Sequence, residues 1–327
     1  MLLHFSNCLL LFISIGFGGI QKWETGYTSK KPAGIWATEW SADNKYIALG
    51  GDDSTVWIYQ PGEYNLYKNF RLGSMVRGLS WHPKNNLLAV ATMDGVQFIE
   101  PVTGKITNLS HLKTGGWGIG WNHSGDLLAL ADHNGEIQLM DIEGNLLRTI
   151  LKHNTNSFLA MDWHPKKNLL VTGSDEIMMF DTTGKQLALI FHRNESTAVL
   201  SVKWHPSGEF FASGDYGHEK EGIPNLLQFW KSDGSPLKTI SGHHAEIRNL
   251  RWSSDGKMLA TASDSLRVWS KDGILLNAGY SDANIWSLAW SRDCKNILTG
   301  CFKNGAVQVW DVQANLLKKL QLFHWYK

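Results

Sequence analysis

Trp252-Ser253-Ser254-Asp255-Gly256-Lys257-Met258-Leu259-Ala260 is one copy of a phrase that recurs along the chain. It returns as Trp81-His82-Pro83 followed by Asn86-Leu87-Leu88-Ala89-Val90, and as Trp163-His164-Pro165 followed by Asn168-Leu169-Leu170-Val171. Tryptophans head the phrase at Trp40, Trp81, Trp121, Trp163, Trp204, Trp252 and Trp290, with spacings of 41, 40, 42, 41, 48 and 38 residues. A second phrase closes each unit, as in Leu266-Arg267-Val268-Trp269-Ser270 and Val307-Gln308-Val309-Trp310-Asp311. A repeat of this length marks one supersecondary unit stacked many times.

Within each period the local code is β. Short alternating apolar runs, about four per period, are separated by Gly, Asn, Asp, Ser and Pro. Ser254-Asp255-Gly256-Lys257 and Ser207-Gly208-Glu209 are hairpin chemistry, because these residues tolerate the backbone angles of a tight turn. No helical stripe of useful length follows residue 20. Four short strands repeated seven times predict an all-β, seven-bladed β-propeller of four-stranded antiparallel blades, in which radial repetition protects sheet edges. One such propeller fits residues 21–327, although length alone would suggest about two domains.

Composition narrows the function classes. The chain has 327 residues, 31 Lys+Arg against 30 Asp+Glu, a net charge of +1, and 16 Trp. That balance excludes a strongly basic nucleic-acid footprint. Three Cys exclude a disulfide-stapled scaffold. Residues 1–20 carry an apolar run from Cys8 to Ile20 with Gly16-Phe17-Gly18 inside it, which reads as a signal peptide, an uncleaved anchor or an N-terminal extension. Cleavage there would make the protein secreted or periplasmic; otherwise it is expected in the cytoplasm.

The repeated phrases resemble the WD-repeat (G-beta-like) family over roughly residues 34–323. One unit carries both halves of the family signature, Gly242-His243 and Trp269-Ser270, and the last carries a literal Trp310-Asp311. The resemblance implies a structural hydrogen-bond network of a His, a Ser/Thr, a turn Asp and the third-strand Trp. By match this falls on His243, Asp264 and Trp269, with Asp53 and Asn304 at the turn position of the first and seventh units. In units two, four and six the turn is one residue shorter, at Asp94, Asp175 and Asp264. Two segments compete to supply the last outer strand, Asn315–Phe323 and Ile20–Tyr27.

Catalytic motifs are missing from the sequence: no His-Glu-x-x-His, no Gly-x-x-x-x-Gly-Lys-Ser/Thr, no Gly-x-Ser-x-Gly. Gly116-Trp117-Gly118-Ile119-Gly120 leads into a strand, with no helix N-terminus to meet a phosphate. His82-Pro83, His164-Pro165 and His205-Pro206 read as turn residues rather than metal ligands. No cofactor and no metal are called for.

Function is expected at one mouth of the central channel. Counting back four residues from each heading Trp gives Trp36, Arg77, Trp117, Leu159, Leu200, Arg248 and Trp286. Strand alternation puts these on the same side as the heading Trp. Core packing does not ask for Arg there, and Trp and Arg are enriched in binding hot spots. The family resemblance implies that this position presents contacts on the top face. Asp52, Met75, His133, Glu246 and Lys303 are expected to rim it. So are Tyr216 and His218, from an insertion near Asp215–Pro224 that accounts for the long fifth spacing. The expected activity is non-catalytic binding of a protein or peptide by a monomeric propeller, with no nucleic acid and no membrane span beyond the N-terminal segment. The alternatives are a propeller enzyme (hydrolase or quinone-dependent dehydrogenase) and a carbohydrate-binding propeller.

Overall fold

The computed structural model describes residues 33–109, 112, 114–152, 160–195 and 197–320. The readings made on residues 1–20, on the segment Ile20–Tyr27 and on Leu159 lie outside the described residues.

Seven four-stranded antiparallel sheets form the blades, each with its strands in sequence order. The inner strands are Ile35–Trp40, Val76–Trp81, Gly116–Trp121, Ala160–Trp163, Val199–Trp204, Asn249–Trp252 and Ile285–Trp290. The outer strands are Asn65–Arg71, Lys105–Asn108, Leu146–Lys152, Gln186–Ile190, Pro236–His243, Leu275–Tyr280 and Leu316–Leu320. Each inner strand packs against that of the next blade, and the seventh against the first, which closes the ring. Leu316–Leu320 is the fourth strand of the seventh blade, so the C-terminal segment fills the outer slot among the described residues. None of the described helices is long and apolar enough to cross a membrane.

The core lies between blades. Trp81 clusters with Ala48, Val56 and Ile58 of blade 1, and Trp204 with Val171 and Met179 of blade 4. Trp40 joins Leu298 and Val309 of blade 7 across the closure. An indole removed from water at such a seam contributes roughly 5 kcal/mol of transfer free energy. Three of the heading indoles also cross the seam as donors. Trp163 Nε1 reaches the Gly120 carbonyl at 2.8 Å, Trp252 reaches Lys203 at 3.2 Å, and Trp290 reaches Arg251 at 2.9 Å.

The His-Pro residues latch one blade to the next. Backbone N–H groups donate to Nδ1 of His82, His164 and His205, from Lys84, Lys166 and Ser207 respectively. That leaves the proton on Nε2, which donates to the turn carbonyls of Gly125 (2.9 Å), Gly208 (3.1 Å) and Gly256 (2.9 Å) in the following blades. The turn reading of these residues is what the geometry has.

In blades 5, 6 and 7 the third-strand Trp donates to a second-strand hydroxyl: Trp230 to Ser213 (2.8 Å), Trp269 to Thr261 (3.0 Å), Trp310 to Thr299 (2.8 Å). His243 Nε2 shares Thr261 Oγ1 at 3.0 Å. Asp264 instead turns to Arg267, accepting at 2.8 and 3.1 Å, as the shorter turn of that unit requires. In blade 1, Asp53 accepts from the Trp57 indole at 2.7 Å. Asn304 accepts from the Ala306 N–H at 3.1 Å.

Candidate functional site

In five blades the position four residues before the heading Trp is a β-bulge. The inner strands skip a pairing at Trp36, Arg77, Trp117, Leu200 and Trp286. A bulge places two residues opposite one and breaks the alternation of side chains. The expectation that these residues share the heading Trp's side is therefore corrected. The residue five before takes that side instead. Ile35, Val76, Val199, Ile247 and Ile285 are fully buried, each in the same inter-blade cluster as its heading Trp. The bulge releases the next residue from the seam and re-aims it.

Three tryptophans from three blades meet as a result. Trp36 lies 5.5 Å from Trp117 and 4.7 Å from Trp286, centroid to centroid. Arg77 places its guanidinium carbon 3.7 Å from the Trp36 ring centre and 4.6 Å from that of Trp117. Arg248 lies 4.1 Å over Trp286. Arg77 is only 5% exposed, and burial pulls its guanidinium down to about 10 while nearby Asp52 opposes the shift. It stays a cation at neutral pH. Leu200 is buried, 8% exposed, and the three tryptophans are half-buried.

A second register surrounds the first. In blades 1, 2, 3 and 7 the residue just after the second strand meets the bulge residue sixteen positions earlier. Asp52 accepts from Trp36 Nε1 at 2.5 Å. Met93 Sδ lies 3.2 Å from Arg77 Nε. His133 sits edge-on to Trp117 at 5.4 Å. Phe302 stacks on Trp286 at 4.0 Å and 10°, and touches Trp36 at 5.0 Å. Sequence counting named Asp52, His133 and Tyr216 in this register but missed Met93 and Phe302. In blade 7 it was one residue late, on Lys303, which is exposed. The signal was available, because the offset is constant. Gly34 is what lets Phe302 in: a Cβ there would stand 2.5 Å from its ring.

The remaining rim residues are placed as follows. Glu246 pairs with Arg248 at 3.2 Å. Met75 is half-buried, and its carbonyl accepts from the Met93 N–H at 3.0 Å. Burial pulls His133 below its usual range, and Arg77 adds to the drop. Tyr216 and His218 belong to the blade 5 insertion, which joins the second and third strands. Arg193 straps that insertion, donating to Asp215 at 2.7 Å and to the Pro224 carbonyl at 2.8 Å. His218 closes it through backbone bonds with Ile223 at 2.8 and 3.0 Å.

One charged cluster was not foreseen. The residue just before the heading Trp is Glu39, Asp162, Lys203 or Arg251 in four blades. Arg251 reaches Glu39 at 2.9 Å, past blade 7, where that residue is the small Ala289. Lys203 pairs with Asp162 at 2.7 Å. Burial and Arg251 draw the Lys203 ammonium down, against Asp162 and Glu39. The four charges form two ion pairs, Arg251 with Glu39 and Lys203 with Asp162. Among the described residues no three His, Cys, Asp or Glu side chains gather as metal ligands would.

Comparison with known proteins agrees with this architecture. The family model "WD domain, G-beta repeat" matches residues 144–180, 184–219, 234–270 and 273–311. The "Anaphase-promoting complex subunit 4 WD40 domain" matches residues 38–119. SIR4-interacting protein SIF2 of Saccharomyces cerevisiae is 23% identical over 224 residues, covering 62% of this chain and 40% of that protein. WD repeat-containing protein slp1 of Schizosaccharomyces pombe is 24% identical over 247 residues, 72% of this chain and 49% of that protein. Cell division cycle 20.5, cofactor of APC complex, of Arabidopsis thaliana is 24% identical over 241 residues, 68% and 51% respectively. The chain thus spans about half the length of the curated relatives it matches. With seven four-stranded blades in a closed ring and repeat matches in both halves, the chain belongs to the WD-repeat family of β-propellers.

Proposed function

We propose that this protein is a non-catalytic scaffold that holds a protein or peptide partner on the top face of the propeller. One observation carries the reading. Five of the seven residues that stand four before a heading Trp, Trp36, Arg77, Trp117, Arg248 and Trp286, form one connected cluster of ring and cation contacts at the start of the inner strands. Aromatic and arginine side chains together give large contact area and charge-assisted hydrogen bonds, the mixture that dominates binding hot spots. Two relatives' printed names, an interacting protein and a cofactor of a complex, support a partner of the same kind.

The test is capture from native extract with Trp36→Ala, Trp117→Ala and Arg248→Ala. Each variant is expected to keep its far-ultraviolet circular dichroism and to lose the partner. Unchanged capture by all three would mean that the cluster merely plugs the channel mouth.

A further inference from the structure

Both faces of the Trp286 ring are covered from within the chain. Arg248 lies 4.1 Å from its centre and Phe302 stacks at 4.0 Å, and two groups that close must take opposite faces. Arg77 lies over one face of Trp36 and one face of Trp117. A cation over an indole face is the contact that a partner's lysine or methylated lysine would need. Those places are filled by the chain's own guanidiniums.

What remains outward is donor capacity and positive charge. Arg248 aims Nε and Nη2 at a single Glu246 oxygen, 3.2 Å each, longer than a tight charge-assisted bond. Its side chain is 13% exposed. Lys303 follows Phe302 and is exposed, so a second cation stands one residue along the chain from the ring stacked on Trp286. The acidic groups are engaged. Asp52 accepts from Trp36 Nε1 at one oxygen and from the Gly34 N–H at the other, and Glu246 faces Arg248.

We infer that the mouth selects an anionic side chain of its partner, a carboxylate or a phosphate on an extended segment, and turns away cationic ones. This rests on the reading that the mouth is a binding face. The incoming anion accepts from Arg248 and Lys303 and takes over the long Glu246 contact. Arg77 stays buried and fixes the angle of the Trp36 and Trp117 rings.

The experiment uses the full chain labelled with 5-fluorotryptophan, its Trp36, Trp117 and Trp286 fluorine signals assigned by single Trp→Phe variants. Three peptides of the form Ac-Gly-Phe-Xaa-Ala-Phe-Xaa-Gly-NH2 are titrated, with Xaa as glutamate, phosphoserine or trimethyllysine. The glutamate or the phosphoserine peptide is expected to shift the Trp286 signal, and their ratio says which anion is preferred. Arg248→Gln is expected to weaken that binding about tenfold, the loss of one charge-assisted contact. The trimethyllysine peptide is expected to leave the signals in place. If it binds as well as the anionic peptides, or if Arg248→Gln leaves their affinity unchanged, the inference is overturned while the binding-face reading stands. Silence from all three peptides also overturns it. The binding-face reading is judged separately, by capture with Trp36→Ala.

Discussion

Lys318, on the last described strand, donates its ammonium to the Glu63 carbonyl of the first blade at 2.5 Å, so the two ends of the described chain are tied at the rim. The contact is one of a set. Lys68 donates to the Pro101 and Val102 carbonyls, Arg148 to Thr183, Lys238 to Asp272 and Asn277 to Val312, each from an outer strand to the following blade. All five donors pair with the residue just before the third-strand Trp position, so the register is common. At the same register blade 2 has Thr107 and blade 4 has Ala188.

Ala188→Lys is therefore expected to add a rim clamp onto the turn that follows Asn225–Lys231. The stabilisation expected is about 0.5–1 kcal/mol, the usual worth of an exposed charged hydrogen bond. Lys318→Met should cost a similar amount. Urea unfolding midpoints compare both with the parent protein; a midpoint for Ala188→Lys at or below that of the parent removes the idea.

The histidine latch makes a sharper claim. Gly208 has φ of +77°, and a Cβ on it would stand 2.5 Å from His164 Cε1. Gly208→Ala is expected to cost about 2 kcal/mol or more, from backbone strain together with the displaced latch. His164→Ala, which frees the space but leaves the Gly208 carbonyl without its donor, should cost about 1–2 kcal/mol. Because both act on one contact, the double variant is expected to fall short of the sum. Additive losses in thermal unfolding would show the two residues to be independent.

Thr261 serves two ring nitrogens in one buried spot. Thr261→Val leaves the Trp269 and His243 ring nitrogens without their hydroxyl partner and is expected to cost about 2 kcal/mol. Trp269→Phe in that background removes the stranded indole donor, so its own cost should be smaller than in the parent. A double-mutant cycle measures the difference.

Acid should weaken the fold before its carboxylates titrate. Burial, with Arg193 beside it, pushes His192 down to about 4; burial, with Arg267 beside it, pushes His243 down to about 3. Both are neutral in the native state and would charge near pH 6.5 when unfolded. A depressed histidine contributes fully above that pH, and its contribution drains as pH falls toward the native value. Melting temperature is expected to decline from about pH 6.5 toward pH 4, and His192→Gln should flatten the decline. A parent profile flat over this range would contradict it.

The repeat, the strand character and the blade count were legible in the sequence because each rests on local chemistry. Trp252 and its counterparts recur at a fixed period, and Gly256 marks the hairpin between the first two strands of its unit. The candidate site was legible in part. Position counting named Trp36, Arg77, Trp117, Arg248 and Trp286, but on the premise that strands alternate without interruption.

That premise fails at the bulge, and a bulge is a property of how two strands pair, not of either strand alone. Its consequence, Ile35 buried in the seam and Trp36 turned out of it, could be read only from the paired register. Met93 and Phe302 were missed for a related reason, since their contacts join strands sixteen residues apart. The sequence by itself determined how many blades there are and which residues head them, because hydrophobic period and turn chemistry act over a few neighbours. Tertiary structure alone decided that Arg77 and Arg248 lie on the tryptophan faces, because those contacts join residues brought together when the ring closes.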